Sequence, residues 1–167
     1  RGLVGSEMCI RDSFVWSPNS VSMPGTEANA MKNYYPGDMY VDWLGVSCYP
    51  PSLSATYPEE RRYPLTLMQG IKQVSADKPI MISEGGYSST CDHQRWVREW
   101  FKLKDEEPRV KAVVWENHEN AENGDRRLQS DPLALELYKE LVQDPYWLDL
   151  IPDAVYSEIE TRKNNSK

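Results

Sequence analysis

The chain has 167 residues, 40% of them hydrophobic, which is enough for one domain with a sizeable core and excludes a disordered polymer. Its net charge of −7 and pI near 4.9 argue against nucleic acid and anionic membrane surfaces, which are held by clustered Lys and Arg. A neutral polymer such as a polysaccharide suits this balance, and no apolar run approaches the roughly 20 residues that span a bilayer.

Residues 1–13, RGLVGSEMCIRDS, show neither clean periodicity nor turn chemistry leading into the next segment. They resemble translated adaptor sequence and are set apart from the fold, the other reading being a genuine amphipathic lead-in. Phe14-Val15-Trp16 reads as a short strand stopped by Ser17-Pro18-Asn19. Loop residues come next, punctuated by Pro24-Gly25 and Pro36-Gly37. The β-branched and aromatic run from Tyr40 to Tyr49 is a second strand, ended by Pro50-Pro51. A helix is predicted from about Pro64 to Ser75, with Leu67, Met68, Ile71 and Val74 on one face. Ile80 to Glu84 forms a third strand, closed at once by Gly85-Gly86.

Asp92 is placed to cap the next helix, whose inward stripe is Trp96, Val97, Trp100 and Phe101. Val110 to Trp115 is a fourth strand, and a polar loop runs from it to Ser130. Asp131-Pro132 combines an N-cap with proline at the first helical position, ahead of a stripe of Leu133, Leu137, Tyr138 and Leu141. The end of the chain is polar, and residues 151–167 read as a tail.

Strands alternating with helices predict parallel strands covered by helices, an α/β class. Four such units fit half of a (β/α)8 barrel or a small doubly wound sheet. The glycine-rich phosphate turn that would support a nucleotide site in the second is missing after the first strand.

Reactive side chains of a (β/α)8 barrel sit at the C-terminal ends of its strands. Glu84 is the last residue of an apolar strand, and simple alternation puts it on the face of Ile80 and Ile82. If that face is the barrel interior, a carboxylate crowns an apolar core, a costly arrangement that points to a task. A strand-end Glu turned into solvent is the other reading. The two glycines after it allow close approach of a ligand or a neighbouring backbone. Tyr49 and Trp115 end the flanking strands. A tyrosine hydroxyl can orient a carboxylate and an indole can floor a sugar ring, while core packing explains either equally well. The same ambiguity attaches to the six Trp and ten Tyr, which serve a sugar surface or an aromatic core. Cys9, Cys48 and Cys91 fit no metal spacing and read as free thiols, with a Cys48–Cys91 bridge as the alternative. With His93 and His118 the only histidines, no metal site and no cofactor are expected.

Taken in order, VWSPN (15–19), YYPGDMYVDWLGVSCY (34–49), KPIMISEGG (78–86) and RVKAVVWEN (109–117), with DRRLQSDPLAL (125–135) and DPYW (144–147) behind them, resemble glycoside hydrolase family 26. That family is best known for endo-β-1,4-mannanases, with some members acting on other β-glycans. The resemblance implies that residues 14–150 form the C-terminal half of a (β/α)8 TIM barrel, strands 5–8 with their helices. The barrel's N-terminal half, and with it the acid/base glutamate, is then expected to be missing from this chain. Glu84 matches the family's nucleophile, Tyr49 the tyrosine bonded to it, and Trp115 a tryptophan lining the sugar subsite. Trp16 and Asn19 fall where substrate contacts are expected, whereas Asp42 is read as structural. His118-Glu119-Asn120 resembles the acid/base motif but lies after the last strand and is taken as coincidence, and Glu116 is read as pointing away from Trp115, outside the chemistry. The implied function is retaining hydrolysis of a β-linked polysaccharide or oligosaccharide by a secreted enzyme. A catalytically silent carbohydrate-binding barrel is the alternative, and an interaction module on a small doubly wound sheet a third.

Overall fold

The computed structural model describes residues 13–51, 58–120 and 124–147. The adaptor-like leader, apart from Ser13, and the polar tail lie outside the described residues. Four strands form one sheet: β1 (Val15–Trp16), β2 (Trp43–Cys48), β3 (Ile80–Gly85) and β4 (Val110–Trp115). They are all parallel and lie in chain order β1-β2-β3-β4. Parallel neighbours need crossovers, and here these hold short helices α1 (Pro64–Leu67) and α2 (Gln69–Lys72) between β2 and β3, and α3 (His93–Glu106) between β3 and β4. Helix α4 (Pro132–Leu141) comes after the last strand.

The helices cover one face of the sheet. Leu44, Val46 and Cys48 of β2, Ile80 and Ile82 of β3, and Val110 of β4 are fully buried there with Ile71, Trp96, Val97 and Trp100. Each such aliphatic contributes about 1.5–3 kcal/mol by leaving water. Tryptophan is the keystone of this layer: Trp100 sits 6.4 Å from Trp96 and 5.3 Å, edge-on, from Trp115. Core packing therefore accounts for much of the aromatic content. The opposite face is open, and Val15 (40%) and Val114 (48%) on the two edge strands are exposed.

Both expected N-caps are present. Asp92 accepts from the Arg95 amide at 2.9 Å, and Asp131 from the amides of Leu133 and Ala134 at 3.1 Å. Elsewhere the elements differ from the expectation. The helix predicted over 64–75 is two pieces, because the Gln69 side-chain amide donates to the Leu65 carbonyl (2.9 Å), the acceptor an unbroken helix reserves for the Gln69 backbone. Leu133 is 66% exposed, and Ala134 takes the inward place on α4. The polar loop after β4 contains a small antiparallel hairpin, β5 (Glu119–Asn120) and β6 (Gly124–Asp125). Cys48 and Cys91 are free thiols, and burial pushes the Cys91 thiol up to about 11; Cys9 lies outside the described residues.

Candidate active site

The side of the sheet that Glu84 faces is decided by a break in alternation. Ile80 and Ile82 are buried against the helices, so uninterrupted alternation would drive Glu84 into the apolar layer. The strand slips its register instead, with Val46 opposite Ile82 but Ser47 opposite Glu84, and a matching irregularity toward β4 between Ile82 and Gly85. An extra residue of this kind re-aims the side chains beyond it. Gly85 is the internal marker, since a Cβ there would lie 2.5 Å from the Trp100 ring and 2.6 Å from the Cys48 carbonyl. Gly85 thus faces α3, and Glu84, one residue earlier, faces the open side. The expectation that Glu84 shares a face with Ile80 and Ile82 is corrected. The close approach that Gly85 permits is made by a tryptophan and a carbonyl.

The Tyr49 hydroxyl donates to Glu84 Oε1 at 2.6 Å, a length typical of a charge-assisted bond. Burial, then the carboxylates of Glu116 and Glu84, push the phenol well above its ordinary range, so it remains a donor through neutral and alkaline pH. Glu84 itself is solvent-exposed at the strand end.

Trp115 is in register with Gly85 and turns to the helices. It meets Tyr87, Trp100 and Tyr138 edge-to-face at 5.2, 5.3 and 5.9 Å, and its indole N–H donates to the Arg126 carbonyl at 3.0 Å. These contacts make it part of the aromatic layer, in which it stays partly exposed. Trp16 is in register with buried Leu44 and packs on Tyr35, ring centres 5.1 Å apart. Asn19 uses its side-chain oxygen on the Val21 amide (3.2 Å). Trp16 and Asn19 do line one open depression of about 300 Å³ with Asn29 and Tyr34, but neither Glu84 nor Tyr49 borders it. Asp42 is structural as expected, its carboxylate accepting from the Phe14 amide at 2.8 Å and tying β1 to β2.

Two residues outside the expected set complete the cluster. Glu116 reaches the site through Arg126, whose guanidinium it pairs with and which stacks on the Tyr49 ring, and its charge helps keep the Tyr49 proton in place. Its carboxylate receives the Arg126 guanidinium on one oxygen and His118 Nδ1 (3.0 Å) on the other. Arg126, only 7% exposed, lays its guanidinium 4.0 Å above the Tyr49 ring. Nothing in DRRLQS separates it from Arg127, which pairs with Asp125 at the surface (2.7 Å); the signal would have been the hairpin that turns the first of the pair inward. Among the described residues no group of three or more His, Cys, Asp or Glu could hold a metal ion, and no helix is long and apolar enough to cross a membrane.

No family model matches the chain. Over 113 residues it is 29% identical to endoglucanase H of Acetivibrio thermocellus, a stretch that covers 65% of this chain and 12% of that protein. Its fold is similar to that of a Cellulomonas fimi endo-β-1,4-mannanase double mutant, with a TM-score of 0.50 and 19% identity. That likeness covers 81% of this chain and 31% of the mannanase. The chain therefore spans under a third of either protein, and its four parallel strands with their helices match part of a mannanase barrel.

Proposed function

We propose that this chain contributes the nucleophile half of a retaining glycoside hydrolase acting on β-mannan or a related β-linked glycan. The observation that carries the reading is Glu84 on the open face at the end of β3, with the Tyr49 hydroxyl 2.6 Å from its carboxylate. Likeness to a mannanase in fold and to an endoglucanase in sequence supports a polysaccharide substrate, and a polymer too large to enter a cell suits a secreted enzyme. In the reaction, Glu84 attacks the anomeric carbon while an acid protonates the departing oxygen. A glycosyl ester forms, and water activated by the same second group then releases it. That second group must stand about 5–5.5 Å from Glu84. We place it on strands beyond the present chain, which would close the sheet into a barrel. Tyr49 holds the attacking carboxylate in one orientation and stabilises its charge, both before attack and as the ester is released.

One observation favours a second reading. Glu116, the other carboxylate at the site, is already paired with Arg126 and His118. A glycan-binding barrel without turnover fits that as well. Assay of the full polypeptide and of its Glu84→Gln variant on a panel of β-glycans separates the two. Hydrolysis that disappears in Glu84→Gln, with oligosaccharide binding retained, supports the enzyme. Binding without hydrolysis in the unaltered protein supports the alternative, and hydrolysis unchanged in Glu84→Gln removes Glu84 from its role.

A further inference from the structure

The Tyr49 hydroxyl has one proton to give and two carboxylates to give it to. It donates to Glu84, and Glu116 is held at the same site by the guanidinium that stacks on the Tyr49 ring, its charge also helping to keep the proton on the phenol. What decides between them is Arg126. Its guanidinium lies flat over the Tyr49 ring, 4.0 Å from the centroid, with Nη1 directed to Glu116 Oε2. The backbone of Arg126 is fixed from two sides: its amide donates to the His118 carbonyl (3.2 Å) and its carbonyl accepts the Trp115 indole (3.0 Å). The Glu116 amide is in turn tied to the Gly85 carbonyl at 2.8 Å, directly after Glu84. A planar cation stacked on an aromatic ring and hydrogen-bonded to a carboxylate is held in one place, with its charge beside that carboxylate.

The geometry points to Arg126 and Glu116 as a positioning pair, in which Arg126 satisfies Glu116 so that the single hydroxyl proton of Tyr49 is delivered to Glu84. The inference rests on Glu84 being the nucleophile, and gives a purpose to an ion pair whose arginine is buried. Glu116 meets the Arg126 guanidinium on one oxygen and His118 Nδ1 on the other. Without Arg126 it becomes a rival acceptor for the proton of Tyr49.

The test uses the 167-residue chain and needs no sugar. The Tyr49 hydroxyl proton is observed by proton NMR as a low-field resonance, identified by its loss in Tyr49→Phe. In the otherwise unaltered chain it shifts upfield when Glu84→Gln removes the charge it serves. In Arg126→Met that response to Glu84→Gln is expected to be lost, the proton having turned to Glu116. In the double variant Glu116→Gln/Arg126→Met the response returns, since the rival charge is gone and no cation is stranded. Retention of the response in Arg126→Met, or its failure to return in a folded double variant, overturns the inference. Arg126→Lys keeps the neutralising charge, guards against a misfolded Met variant, and is expected to keep the response; losing it counts against the pair. A resonance indifferent to Glu84→Gln in the unaltered chain would instead sink the proposed function, so the two failures are distinct.

Discussion

Gly85→Ala is the substitution whose cost can be worked most fully from the structure. A Cβ at this position would stand 2.5 and 2.8 Å from two ring atoms of Trp100 and 2.6 Å from the Cys48 carbonyl oxygen. Neither neighbour can yield freely. Trp100 is 1% exposed and wedged between Trp96 and Trp115, and the carbonyl belongs to the strand in register with Gly85. Overpacking of this kind costs about 1–3 kcal/mol. Against it stands the gain of about 0.4–1 kcal/mol from replacing glycine where its backbone is one alanine can adopt, so the net effect remains destabilising. At about 2–4 °C per kcal/mol for a chain of this size, thermal unfolding followed by circular dichroism should fall by several degrees. Gly86→Ala is the control, because its Cβ meets only ordinary contacts at 3.5 and 3.7 Å, and it should unfold within a degree or two of the parent chain. If both variants melt together, Gly85 does not face α3, and Glu84 is not turned to the open side by the slip in register.

Tyr49→Phe removes the 2.6 Å bond to Glu84. A hydrogen bond to a charged group is worth about 1.5–3 kcal/mol, so turnover by the full polypeptide should drop roughly ten- to a hundred-fold with a smaller change in KM; equal activity would discharge Tyr49 from the site. Asp131→Ala removes a side chain that caps two amides of α4 and meets His93 Nδ1 at 2.9 Å, and should cost about 1–2 kcal/mol in urea unfolding. The Asp125 carboxyl is held down to about 2 by its hydrogen bonds from Arg127. Its folded pKa lies below the unfolded one, so its stabilisation is full above about pH 4 and fades as pH falls toward 2. Acid unfolding of Asp125→Asn should therefore converge with that of the parent chain at the low end of this window and diverge above it; a constant offset across it would refute the assignment.

The elements most legible in the sequence are those announced by local chemistry. Asp92 and Asp131 cap their helices because a carboxylate beside free amides is a local matter. Parallel strand order comes from alternation with helices, and Tyr49, Glu84 and Trp115 are legible as strand ends. What escapes is set by partners distant in the chain. The slip beside Glu84 answers to Trp100 and Cys48 crowding Gly85, and no window of residues around IMISEGG contains either. The stripe on α4 misplaces Leu133 because helical spacing alone does not say where along the helix contact with α3 begins. Arg126 escapes because its burial depends on a hairpin of polar residues that carries no hydrophobic alternation. Trp115 is legible as a strand end, but its facing depends on the register between β3 and β4.

The central claim is that the carboxylate of Glu84 attacks a sugar. Trapping tests it most directly: the full polypeptide is incubated with a fluorinated β-mannoside bearing a dinitrophenolate leaving group, which departs without acid assistance, and is then digested and mapped by mass spectrometry. The expected result is one added sugar on the peptide carrying Ile80–Gly86, localised to Glu84 and absent from Glu84→Gln. A sugar attached to any other carboxylate, or turnover of the reagent with Glu84 never labelled, would contradict it.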